Sequence, residues 1–311
     1  MNALAHWVAY GAIAVFIAAV AVRYWRIRGL PLNMRWEIYP IPHEGERAAY
    51  GGSKLEETDW WKKKHKPSKL RELSFMLPEM ILLKALFEHN RRLWWRSFPF
   101  HFGLYLLAGW VALLALGAGM QLAGIPVSRS AAGIGGFIAI FTIVVGVLGL
   151  GLGFVGGISL LYLRIFDAEL RTYSNPSHYF NLVFILAVQA LGLAAWTTVD
   201  PGFALFRTFV RDLLTFHVSS SPASGLLLDG TILAAAVLVA YIPLTHMSHF
   251  FVKWFTWHKL RWDDSANVRG GRIELMIQEA LTYPVSWSAP HIAGDGKRTW
   301  AQVATEQEVP R

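Results

Sequence analysis

Five long apolar runs alternate with polar segments along the chain. The runs cover residues 4–22, 98–120, 134–163, 179–199 and 226–251. An α-helix rises about 1.5 Å per residue and the hydrocarbon core of a bilayer is about 30 Å thick, so about 20 apolar residues make one crossing. The pattern therefore predicts an all-α integral membrane bundle of five transmembrane helices.

The positive charges predict how these spans are oriented. Segment 26–96 carries 15 Lys and Arg against 9 Asp and Glu, whereas segment 121–130 has one Arg. By the positive-inside rule, segment 26–96 is cytoplasmic, the N-terminus lies outside and the C-terminus is cytoplasmic. We expect a multi-pass protein of the cell inner (cytoplasmic) membrane.

The same pattern divides the chain into four parts. Residues 1–25 form the first transmembrane helix, and residues 26–97 form a cytoplasmic basic insertion that ends in an interfacial amphipathic helix over 77–93. Residues 98–252 form a four-helix membrane core, and residues 253–311 form a cytoplasmic tail. A further amphipathic stretch, 203–216, is expected to lie along the headgroups of the outer face.

Composition supports a membrane protein and excludes several chemistries. The chain is 54% hydrophobic and 16% charged, against about 25% charged in soluble proteins. It has no Cys, which excludes disulfides, iron–sulfur ligation and thioether-linked haem within this chain. The net charge of +8 is better explained by membrane lipid headgroups than by nucleic acid.

Glycines in the third run resemble a nucleotide-binding motif but predict helix packing. The stretch from Gly151 to Gly156 spells GxGxxG inside an apolar run, without the strand that a dinucleotide fold requires. Gly149, Gly153 and Gly157 are spaced by four residues, so they share one helix face that another helix can approach closely.

Three histidines, His101, His246 and His249, are predicted to lie clearly inside the hydrocarbon, where a polar group usually has a function. His101 lies near the start of the second run and His249 near the end of the fifth, at matching predicted depths. Two imidazoles on different helices at one depth suit the two axial positions of a haem iron. Hydrogen bonds between helices are the alternative interpretation.

Because the fifth run also contains His246, the sequence leaves open which of its two histidines would bind the iron. In a continuous helix it lies one turn before His249 on nearly the same face, so either residue could be the ligand. His246 could instead carry a proton for a quinone. His178, at the start of the fourth run, is interpreted as an interfacial cap, and His6 is assigned no chemistry.

Two motifs give the chain a family resemblance. Phe100-His101-Phe102-Gly103-Leu104 opens the second run, and Pro243-Leu-Thr-His-Met-Ser-His249 closes the fifth. Across roughly residues 98–262 the chain resembles the membrane cytochrome b family of the respiratory nitrate reductase gamma subunit. It is similar in particular to the membrane subunits that partner heterodisulfide-reductase-like iron–sulfur proteins.

The resemblance implies one haem b. In that family the residues matching His101 and His249 ligate the haem nearer the cytoplasm. The residues at the positions of the second ligand pair are Val111 and Thr231 here, so the outer haem is expected to be lost. Arg96 and Lys253, one turn from the two ligands, are candidates to neutralise the haem propionates.

These expectations combine into one functional hypothesis. The chain is a cytochrome b subunit that passes electrons between menaquinone or ubiquinone and a cytoplasmic iron–sulfur subunit, in the direction of quinol oxidation. Without Cys or a nucleotide fold, it is a subunit of a quinol-linked oxidoreductase complex that is not catalytically complete alone. The alternative is a haem-free membrane anchor for a soluble redox or regulatory complex.

Overall fold

The structure, a computed structural model, describes residues 3–30, 68–218, 225–261, 267–289 and 292–305. Most of the basic insertion, residues 31–67, lies outside the described residues. The chain divides into two compact units. The first comprises Met1–Ala19 and Met76–Met247, and the second comprises Val20–Phe75 and Ser248–Arg311.

Among the described residues, five helices are long and apolar enough to cross a membrane, which confirms the predicted all-α membrane fold. The spanning helices are α1 (Ala3–Gly29), α4 (Arg91–Leu122), α5 (Ile134–Phe166), α7 (Pro176–Thr198) and α9 (Gly225–Tyr241), the last continuing as a span to Leu244. The shorter helices are α2 (Lys69–Ile81), α3 (Lys84–His89), α6 (Ala168–Thr172), α8 (Ala204–Leu214), α10 (His249–Phe255), α11 (Arg272–Leu281) and α12 (Trp300–Thr305). The protein is therefore a multi-pass membrane protein.

Glycines bring α4 and α5 into close contact within the first unit. A Cβ built on Gly103 would lie 2.6 Å from the Cα of Gly153, and one on Gly149 would lie 3.1 Å from the backbone nitrogen of Leu107. A Cβ on Gly157 would lie 2.9 Å from Leu186 of α7. The glycine face of α5 therefore packs against both neighbouring spans, as the spacing predicts.

The segment before α4 differs from its prediction. A single amphipathic helix was expected over 77–93, but α2 ends at Ile81 and α3 begins at Lys84. Leu83 adopts a left-handed backbone conformation with φ of 52°, which interrupts the α-helical hydrogen bonding. The Trp94 indole donates to the carbonyl of Leu82 at 2.8 Å and fixes the bend.

Helix α8 follows α7 through an acidic cap. The Asp200 carboxylate accepts hydrogen bonds from the backbone nitrogens of Ala204, Leu205 and Phe206 at 2.8–3.1 Å, which stabilises the first turn of α8. Phe206 and Phe209 face the core of the first unit.

Arg207 of α8 is buried, although stretch 203–216 was expected to lie along the headgroups as an amphipathic helix. Its side chain is 2% exposed, and Nη1 donates to the carbonyl of Val127 at 3.0 Å. A Cβ on Gly117 would lie 2.9 Å from its Nε, so that glycine makes room for the guanidinium. Burial lowers the pKa of Arg207, and the nearby Asp200 carboxylate opposes this shift.

The fifth span ends earlier than predicted. Helix α9 stops at Tyr241, and 3₁₀ turns follow at Ile242–Leu244 and His246–Ser248 before α10 begins at His249. Pro243 lacks a backbone N–H and its ring clashes with the carbonyl four residues earlier, which disfavours an α-helix at this position. The premise that His246 and His249 share one continuous α-helix is therefore wrong.

The second unit contains the end of α1, the start of α2 and the chain after Met247. Arg23 of α1 donates from Nη1 to the Ser248 hydroxyl at 2.7 Å. Helix α10 leads into a π-helical turn over Thr256–Arg261. Two-residue strands β1 (Ser288–Ala289) and β2 (Ile292–Ala293) pair antiparallel in the tail.

Candidate functional site

His101 lies in the third turn of α4, on the stretch that packs against α5. The ring is half-buried and meets the Phe100 ring edge-on, with centroids 5.4 Å apart. Phe100 itself belongs to a buried apolar cluster with Leu182 and Ile185 of α7. A Cβ on Gly103, two residues after His101, would lie 2.6 Å from the Cα of Gly153, so this glycine allows α4 and α5 to pack closely.

The hydrogen bonds of His101 define its tautomer. Nδ1 lies 2.8 Å from the backbone carbonyl of Ser97 and 3.2 Å from the Ser97 hydroxyl. A carbonyl oxygen can only accept, so Nδ1 carries the proton and the neutral ring has its lone pair on Nε2. Histidines that ligate metals commonly donate their other ring N–H to a backbone carbonyl in this way.

Arg96 and His101 belong to the first unit, whereas His249 and Lys253 belong to the second. Arg96 donates from Nη1 to the carbonyl of Arg92 at 2.8 Å. His249 is the exposed first residue of α10, and Lys253 lies over the Trp257 ring at 5.0 Å. The ligation of one iron by His101 and His249 stays a prediction.

His246 takes part in a polar cluster that the sequence does not predict. Its Nε2 lies 3.3 Å from Nδ2 of Asn181, and Oδ1 of Asn181 accepts a hydrogen bond from the Tyr241 hydroxyl at 2.8 Å. Asn181 is 4% exposed, and both ends of its buried amide have hydrogen-bond partners within the protein. The cluster joins α7, the end of α9 and the 3₁₀ turn after it.

His178 is a helix cap, as expected, and also belongs to this cluster. The Asn175 side chain accepts from the backbone nitrogen of His178, and Nδ1 of His178 accepts from the backbone nitrogen of Asn175 at 3.3 Å. The His178 ring meets the His246 ring edge-on, with centroids 4.9 Å apart. Capping therefore fixes His178 beside His246.

Aromatic rings surround the polar cluster on α7. Phe180 and Phe184 contact the Tyr241 ring, with centroid distances of 5.7 and 5.8 Å. Phe180 and His246 are exposed, whereas Asn181 between them in the cluster is buried. The imidazole of His246 and the ring of Phe180 are therefore exposed beside each other in the cluster, and the imidazole contacts the buried amide of Asn181.

Val111 and Thr231 stand where the family has the ligands of its outer haem, and the two side chains have different surroundings. Val111 is 53% exposed on α4, and Thr231 is buried on α9. The Thr231 hydroxyl donates to the carbonyl of Leu227 at 2.7 Å and also lies 3.3 Å from that of Leu191. Neither side chain supplies a nitrogen or sulfur ligand for haem iron.

Asn181 and His6 are polar residues inside the first unit whose burial the sequence analysis missed. Asn181 lies in the apolar fourth run, and that placement alone is the signal that could have singled it out. His6 was assigned no chemistry, yet it is completely buried beside Ala5 and Ala9. The sequence around His6 indicates this burial only weakly, because no other polar residue lies between Ala3 and Ala9 to mark an interior helix face.

No family model, no curated protein and no solved structure matches the chain.

Proposed function

We propose that the chain is the membrane cytochrome b subunit of a respiratory complex. It passes electrons from quinol to a cytoplasmic iron–sulfur subunit through one haem b, with His101 and His249 as axial ligands. A partner subunit is required because the chain has no Cys with which to hold an iron–sulfur cluster.

The hydrogen bond from His101 Nδ1 to the Ser97 carbonyl supports this proposal most strongly. It holds the ring in the tautomer whose Nε2 can donate a lone pair to iron, and it fixes the ring plane against α4. In a chain that crosses the membrane with each of these spans, the start of α4 and the end of α9 lie at the same membrane face, because the four crossings α4, α5, α7 and α9 separate them. His249 follows α9 at that face.

A bis-histidine haem would supply a reversible one-electron carrier. His101 and His249 would bind the iron, and Arg96 and Lys253 would neutralise the propionates. His246 would hold a proton at a quinone oxygen.

A reduced-minus-oxidised visible spectrum of the purified chain, with haem quantified per polypeptide, tests the proposal. We expect one b-type haem per chain. Two haems would contradict the loss of the outer pair. A colourless protein would contradict the cytochrome and favour the haem-free membrane anchor, which has the same five spans.

A further inference from the structure

The His258 ring of the second unit lies between two oxygen atoms that accept hydrogen bonds. Its Nε2 is 2.6 Å from Oε1 of Glu72, and its Nδ1 is 2.8 Å from the backbone carbonyl of Trp254. A neutral imidazole has one N–H, so its other nitrogen would turn a lone pair toward the second oxygen. Only the doubly protonated ring donates to an ionised carboxylate and to a carbonyl at once.

The packing around the pair holds it in this arrangement. The His258 ring stacks on the Trp254 ring with centroids 3.7 Å apart, and the Glu72 side chain is buried. A carboxylate that is removed from water needs a donor or a cation to replace its hydration. The contact between α2 and the π-helical turn therefore favours a charged His258.

Other charged groups on the elements that meet here have different contacts. Lys69 lies 3.8 Å from Oε2 of Glu72, but its side chain is 87% exposed, so this pair is weak. Lys253 of α10 lies over the Trp257 ring, Arg23 of α1 donates to Ser248, and Glu79 of α2 accepts from the Ala85 backbone nitrogen. The further charged residues of α1, α2 and the turn are Arg26, Arg28, Arg71, Lys259 and Arg261.

The ring has a different proton requirement once α2 has moved away. One N–H then suffices for the Trp254 carbonyl, and water can donate to Nε2. The contact with α2 thus requires one proton more than its absence does. By linkage, a lower pH strengthens such a contact and a higher pH weakens it.

We propose that α2 docks on the π-helical turn with the uptake of one proton by His258, so that pH controls this contact. The docking equilibrium should change up to tenfold per pH unit wherever the undocked ring is neutral and the docked ring is charged. Helix α2 lies within the basic insertion of residues 26–97, so the attachment of that insertion responds to pH.

A distance between two spin labels measures the docking. The chain has no Cys, so Leu70→Cys on α2 and Phe250→Cys on α10, both at exposed positions, provide the only two thiols. The labelled full chain in lipid nanodiscs is compared in pulsed electron spin resonance from about pH 6 to about pH 9. We expect one short distance at the acid end and a growing population of longer distances toward the alkaline end. An unchanged distance distribution overturns the proposal.

A matched pair of acid-to-amide variants identifies the group responsible. In Glu72→Gln the new NH₂ group can donate to the Nε2 of a neutral ring, and its oxygen can accept from a charged one. This variant should therefore stay docked over the whole pH range. Glu79→Gln, on the same helix, should keep the pH dependence of the unmodified chain. A pH dependence that persists in Glu72→Gln overturns the proposal.

The protonation state of His258 is a readout that a purely structural pair would not change. In protein labelled with ¹⁵N-histidine, the signals lost in His258→Ala identify this ring. At about pH 7.5, where an ordinary histidine is mostly neutral, we expect both nitrogens to be protonated in the unmodified chain and one in Glu72→Gln. A neutral His258 in the unmodified chain at this pH contradicts the proposal. Neither measurement depends on haem, so the outcome is independent of the proposed function.

Discussion

Glu72 of α2 and His258 of the π-helical turn form a close pair within the second unit, with Oε1 and Nε2 2.6 Å apart. Nδ1 of His258 lies 2.8 Å from the Trp254 carbonyl, so that nitrogen must carry a proton. One further proton is therefore shared between the carboxyl group and the imidazole. The pair joins segments that are 186 residues apart in the sequence.

Removing His258 should destabilise the second unit. The Glu72 side chain is 7% exposed, and His258→Ala leaves this carboxylate without its partner ring. We expect a loss of about 2 kcal/mol, below the roughly 3–5 kcal/mol of a fully buried pair because His258 is 24% exposed. Denaturant unfolding of the detergent-solubilised chain measures it. Glu72→Gln should cost less, and equal losses would argue against an ionic pair.

Alanine variants of the histidines should separate the haem ligands. His101→Ala and His249→Ala should each lose the haem, because one axial nitrogen disappears, whereas His246→Ala should keep it. The exposed His89 of α3 provides the control, and His89→Ala should keep its haem. The measurement is haem per polypeptide from the reduced-minus-oxidised spectrum. Haem retained in His249→Ala but lost in His246→Ala would exchange the roles of these two residues.

The spans were predictable because hydropathy depends on composition over about 20 residues, and small local irregularities do not change that average. The glycine face of α5 was predictable for a similar reason, since a spacing of four residues fixes a helix face whatever packs against it. Both features are properties of one helix taken alone.

The Asn181 cluster and the buried Arg207 were not predictable, because each depends on contacts distant in the sequence. Asn181 meets Tyr241 and His246, which are 60 and 65 residues away. Arg207 finds its acceptor on Val127, 80 residues away. The early end of α9 was predictable in part. Pro243 indicated a break in the helix, but the apolar run continues beyond it and therefore predicted a longer span.

Adding a methyl group to Gly103 should disrupt the contact between α4 and α5. A Cβ there would lie 2.6 Å from Gly153 Cα and 2.8 Å from the Gly149 carbonyl oxygen, and backbone atoms cannot move aside as a side chain can. We expect Gly103→Ala to cost about 3 kcal/mol in the free energy of unfolding. Unfolding monitored by helical circular dichroism measures this change.

Gly109 of the same helix supplies the control, since a Cβ there has nothing within 4 Å. Gly109→Ala should be neutral or should stabilise the protein by up to about 1 kcal/mol, because alanine favours the helix. A Gly103→Ala variant as stable as Gly109→Ala would show that α4 and α5 do not cross as closely as the structure has them.

Replacing His6 with leucine should stabilise the first unit. The His6 ring is 0% exposed and packs on Phe209 with centroids 4.8 Å apart, and neither ring nitrogen has a hydrogen-bond partner among the described residues. A buried polar group without a partner costs about 1–3 kcal/mol, which an apolar side chain of similar volume avoids. We expect His6→Leu to raise the unfolding midpoint, whereas His217→Leu, at an exposed position, should change it little. Haem content should stay at one per chain in both variants. Loss of stability together with loss of a haem in His6→Leu would make His6 a ligand and contradict the single-haem proposal.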